Sequence, residues 1–75
     1  MTVIVSHRVN IDGFAHDPTL HVLAWPADRP IPAMADRLDT HDTEGASLRG
    51  KVIGRTWTDA GVTLYVEENR VGVKP

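Results

Sequence analysis

The chain has no cysteine. That excludes a disulfide framework and any thiolate metal site. Nor is there an apolar run approaching the roughly 20 residues of a membrane-spanning helix. The opening segment MTVIVSHRVN lacks the charged-then-apolar layout of a secretory leader, so a cytosolic protein, or one delivered as part of an assembly, is expected. Net positive charge is also missing: eight Lys and Arg are set against ten Asp and Glu. Phosphate backbones are bound by concentrated positive charge, so general nucleic-acid binding is not expected. Two tryptophans, one tyrosine and one phenylalanine are the only aromatics, and no RNA-binding aromatic pattern, phosphate-binding loop or dinucleotide fingerprint occurs.

What remains is 75 residues, enough for one domain spanning 1–75. A domain of this size buries only about 60% of the surface its unfolded chain exposes. Its core is therefore thin, and small domains without disulfides often draw stability from a partner subunit. Association with another protein chain, first of all a second copy, is expected on that ground.

The patterning reads as mostly β. Val3, Val5, Val9 and Ile11 alternate with Ser6, Arg8 and Asn10, which predicts a half-buried strand over 3–11 with His7 on the apolar side. Asp12-Gly13 and His16-Asp17-Pro18 are turn signals. Residues 19–25 form a second strand with apolar side chains on both faces, which calls for cover on both sides by a helix, a loop or another subunit. Three prolines make 26–32 a stiff extended linker. Ile31, Met34 and Leu38 recur at helical spacing and predict a short helix over 33–41, followed by a polar loop to Ser47. Residues 50–57 and 62–67 read as a hairpin around Thr58-Asp59-Ala60-Gly61. Gly54 inside its first arm predicts a bulge or bend. Glu68-Asn69 suggests a further turn, with a short last strand over 70–73. About five strands and a helical turn fit a small bent sheet or a barrel of SH3 or OB size, because closure removes exposed edges.

Four histidines, His7, His16, His21 and His41, stand near Asp12, Asp17, Asp39 and Asp42 in sequence. Imidazole and carboxylate together can hold Zn²⁺, but the spacings match no metal motif, and no metal or other cofactor is expected. The only serines are Ser6 and Ser47, neither in a nucleophile elbow; a Ser47–His41 pair is the sole hydrolytic combination, and no catalytic residue is assigned. Trp25, Trp57 and Tyr65 are too many aromatic bodies for one face of so small a sheet. Since Trp and Tyr are enriched at interfaces, these three are the candidate interface. Arg49, Lys51, Arg55 and Trp57, of which Lys51, Arg55 and Trp57 are expected to share a strand face with Ile53, are an alternative site for a small ligand or nucleotide.

One segment carries a family resemblance. His41-Asp42, Val52-Ile53-Gly54-Arg55 and Asp59-Ala60-Gly61-Val62-Thr63-Leu64-Tyr65-Val66-Glu67 resemble the His-Asp, Ile-Gly-Arg and Gly-Leu-Tyr-Val-Glu segment of tailed-phage prohead (capsid-maturation) serine proteases. The likeness covers residues 41–67, about a third of the chain. It implies a β-hairpin preceded by the family's catalytic histidine, at the position of His41. The family's nucleophilic serine follows the hairpin, and no serine follows it here. The resemblance therefore implies a phage or mobile-element accessory protein without protease activity, such as a capsid decoration protein or an inhibitor of a host protein, with a minimal hydrolase as the alternative.

Overall fold

The computed structural model describes residues 2–71. They form a single antiparallel-rich sheet, with no helix among them. The strands are β1 (Thr2–Ile11), β2 (Phe14–Ala15), β3 (Thr19–Ala24), β4 (Arg37–His41), β5 (Ser47–Thr58) and β6 (Gly61–Arg70). β1 and β6 lie at the centre and run parallel, in register from Val3↔Val62 to Ile11↔Arg70. β2 and β3 pair different lengths of the other edge of β1. On the far side the order continues β6–β5–β4.

Local chemistry explains the joints. Asp12 and Gly13 both take positive φ, 51° and 84°. That is the requirement of a type I′ hairpin turn, which Asp-Gly meets at little cost. It folds β2 directly back on β1. The hairpin of β5 and β6 is tighter than the sequence suggests: Thr58 pairs with Gly61, so only Asp59 and Ala60 form the loop. The register shifts between Val52 and Gly54, placing a bulge at Ile53, as the glycine predicts.

The expected helix over 33–41 is not formed. Ala35 sits at φ 71°, outside the right-handed helical region. The Ala35 amide donates to the Val52 carbonyl, and the Val52 amide to the Asp36 carbonyl. These bonds draw the chain onto β5, and residues 37–41 continue as β4. Period 2 then wins over the sparse helical spacing: Leu38 is buried while Met34 is exposed. The last strand also departs from expectation. Glu68 and Asn69 do not turn; β6 runs through them to Arg70, and the rest of the expected strand lies outside the described residues.

One face of the sheet carries the core. Val3 and Val5 of β1, Leu23 of β3, Leu38 of β4, Leu48 and Val52 of β5, and Val62, Leu64 and Val66 of β6 are all buried there, with Trp25 just after β3. Ile31 of the proline linker packs against them. The sheet curls around this core but does not close into a barrel. β3 and β4 do not pair; the gap is crossed by the Thr43 amide, which donates to the Val22 carbonyl at 2.9 Å.

Candidate functional site

Three features stand outside the core: an uncovered apolar face, a pair of histidine–carboxylate contacts, and a charged depression. Cross-strand register places the first. On the outer face Leu20 is level with Ser6, Ser6 with Tyr65, and Tyr65 with Gly54; one step along, Val22 is level with Ile4 and Ile4 with Thr63. Leu20 is 73% exposed and Tyr65 41%, with Val22 and Ile53 similarly open. Ile53 lines one depression with Ser6, Arg8, Pro18 and Tyr65. The Tyr65 ring lies over Gly54, where an added Cβ would stand 3.3 Å from it. The next row is polar: Arg8 beside Glu67, Glu67 beside Lys51, Lys51 beside Arg37. The strand expected to need cover on both faces is thus covered on one.

His7, beside the apolar core rather than in it, is the buried polar residue among those described, 6% exposed. Its Nε2 lies 2.9 Å from the Arg49 carbonyl and 3.1 Å from Glu68 Oε1. Both partners only accept, so Nε2 carries the proton. Glu68 also takes two bonds from Arg70, at 2.6 and 3.1 Å. Across an edge-to-face contact of 6.1 Å stands His21. Its Nδ1 is 2.7 Å from Asp42 Oδ2, and its Nε2 is 2.9 Å from Thr19 Oγ1. Asp42 is held by its own turn, since Oδ1 accepts from the amides of Glu44 and Ala46.

These partners set the charge states. The hydrogen bond from His21, followed by the amides of Ala46 and Glu44, holds the Asp42 carboxyl below its ordinary pKa. The Arg70 guanidinium, with His7 adding to it, does the same for Glu68 against an opposing cost of burial. Both groups bind protons more weakly folded than unfolded. Their contribution to stability is therefore complete above the ordinary carboxylate range near about pH 4 and is lost as pH falls through their lowered folded values. Urea midpoints should fall with acidification below that range. Asp42→Asn and Glu68→Gln should each flatten the fall; an unchanged acid slope in both variants would contradict these assignments.

The sequence-derived candidates scatter. Trp25, expected at an interface, is a core residue only 9% exposed, with its indole N–H donated to the Arg29 carbonyl at 3.0 Å. Trp57 and Tyr65 lie on opposite faces. The bulge at Ile53 reverses the alternation of β5, so Arg55 and Trp57 pair with Leu64 and Val62 on the core side, beyond the edge of the core. There the Arg55 guanidinium stands 5.8 Å from the Trp57 ring centre and reaches the Pro32 carbonyl. Lys51 stays on the outer face. The four residues Arg49, Lys51, Arg55 and Trp57 thus form no single surface. Arg49 and Lys51 instead line a depression with Arg37, which sequence reasoning missed, and with Glu67 and Glu68, whose carboxylates offset the three cations.

His16 and His41 are exposed. His41 is level with Ser47 on β5, but its side chain makes no hydrogen bond or ion pair among the described residues. No three His, Asp or Glu side chains converge as metal ligands among those residues, and no helix there is long and apolar enough to cross a membrane. No protein-family model, curated protein or solved structure matches the chain.

Proposed function

We propose that this chain is a protein-binding module that docks through the outer face of β1, β3 and β6, with a second copy of itself as its first partner. The observation that carries the reading is the uncovered apolar group of Leu20, Val22, Ile53 and Tyr65 on one face of a sheet whose other face is already packed. An apolar centre bordered by Arg8, Glu67, Lys51 and Arg37 has the layout of an interface core and its polar rim. A thin core that gains from added burial favours self-association. The finer reading, a phage accessory protein such as a capsid decoration component or an inhibitor of a host protein, is supported by the resemblance of residues 41–67 alone.

Sedimentation equilibrium over a hundredfold concentration range tests the proposal. The expected result is a mass rising from one chain toward two, persisting in high salt because burial of apolar surface is not screened as exposed charge pairs are. Leu20→Glu and Tyr65→Glu should hold the protein at one chain, while Trp57→Ala, on the other face, should leave association intact. A parent that stays at one chain throughout, or one that pairs equally well with Glu at both positions, would remove the outer face from consideration.

A further inference from the structure

Thr19, His21 and Asp42 form a connected hydrogen-bond chain on the side of the sheet opposite the proposed docking face. Thr19 and His21 are two residues apart on β3, so both project to the core side, at its open edge. Asp42 reaches them from the turn after β4. Its carboxylate can only accept, so His21 Nδ1 carries the proton. In the neutral ring Nε2 is then an acceptor 2.9 Å from the Thr19 hydroxyl. The hydroxyl also faces the His7 carbonyl at 3.4 Å, and the nearer Nε2 is the acceptor the step requires. A hydroxyl, an imidazole base and an orienting carboxylate in this order are the parts of an activated nucleophile.

The free edge of β3 supplies a further part. In an antiparallel strand the amide and carbonyl of one residue point to the same side, and the side alternates along the chain. The Val22 carbonyl points away from β1, toward Thr43. Leu20, two residues earlier, therefore aims its amide to the same open side. It follows Thr19 directly, the position from which a nucleophile's neighbour donates to a developing oxyanion. Beside it lies a depression of about 240 Å³ lined by Leu20, His21, Val22, Thr43, Glu44 and Ala46. With Asp42 and Glu44 at its wall, it suits a neutral acyl group and disfavours an anionic one.

We propose that Thr19 is an acyl-acceptor nucleophile, activated by His21 and oriented through Asp42, for small neutral activated esters. In the step, Thr19 Oγ1 bonds to the ester carbonyl carbon as its proton passes to His21 Nε2. The tetrahedral adduct then collapses with loss of the alcohol or phenol oxygen, which leaves as the anion or takes the proton from His21. The product is an O-acyl threonine.

The test is exposure of the full chain to p-nitrophenyl acetate, with peptide mapping by mass spectrometry. One acetyl group is expected on Thr19. His21→Gln should slow labelling at residue 19 by about a hundredfold, the low end of what a positioned base supplies, while acetylation of surface lysines continues unchanged as an internal control. Thr19→Ser should keep the label at residue 19. The ¹⁵N shifts of the parent protein, which do not depend on any variant folding, should show the neutral form of His21 protonated on Nδ1 and bare on Nε2. An unlabelled Thr19, equal labelling in a folded His21→Gln, or the opposite tautomer would each overturn the proposal.

Discussion

Replacing Leu64 by Ala should cost about 3–5 kcal/mol, the range for emptying a packed leucine site. Stability of roughly 0.05–0.15 kcal/mol per residue gives about 4–11 kcal/mol for a chain of this length, so one such cavity removes a large fraction of the total. Leu64 occupies the position where collapse around the cavity is hardest. It is fully buried on β6, a central strand, level with Val5 on one neighbour and Arg55 on the other. Both flanking strands are tied by backbone ladders and cannot slide inward without breaking them. Leu20→Ala is the control: the same atoms are removed from a side chain 73% exposed, and surface substitutions shift stability by within about 0.5 kcal/mol. Urea unfolding should be followed at one fixed low concentration, because self-association would stabilise the parent by mass action. If Leu64→Ala costs no more than Leu20→Ala, the face assigned as core is not the core.

That contrast between two leucines marks what the sequence could disclose. Alternation put Val3, Val5, Val9 and Ile11 on one side of the first strand, because period 2 is a local property; Val3 and Val5 are buried there and Val9 and Ile11 half-buried. Asp12-Gly13 was legible as a turn for an equally local reason, the φ values it tolerates. The bulge at Gly54 was legible too, but its consequence was not. One extra residue reverses every side chain beyond it, and this moved Arg55 and Trp57 away from Lys51. The helix expected over 33–41 rested on three apolar residues, and tertiary hydrogen bonds to Val52 decided otherwise. The parallel pairing of β1 with β6 joins the two ends of the described chain and leaves no pattern in either strand. The contacts of the candidate reactive site have the same character. His21 and Asp42 are 21 residues apart, and no spacing rule connects a strand residue to a turn across an open edge. Only Thr19 and His21, at i and i+2, could have been paired from the sequence, as neighbours on one strand face.

Gly50→Ala is expected to be the most damaging of the single-methyl additions. Gly50 has φ 153°, a conformation L side chains rarely adopt. A Cβ there would meet the Glu67 carbonyl oxygen at 2.6 Å and Val66 Cγ1 at 2.7 Å. Backbone strain of this kind costs about 1–3 kcal/mol, and the clash adds to it because one of the colliding atoms is main chain and cannot rotate away. Relief requires β5 to separate from β6. Arg49, the preceding residue, lends its carbonyl to His7, so the displacement also loosens the buried histidine. Gly13→Ala separates the two causes: Gly13 has φ 84° with nothing within 4 Å of the added methyl, so it carries the conformational penalty alone, about 1–2 kcal/mol. Gly50→Ala should therefore lower the urea midpoint clearly more than Gly13→Ala and shift the His7 ring resonances, which Gly13→Ala should leave in place. Equal losses in the two variants, with His7 unmoved in both, would mean that β5 and β6 do not approach as closely at Gly50 as described.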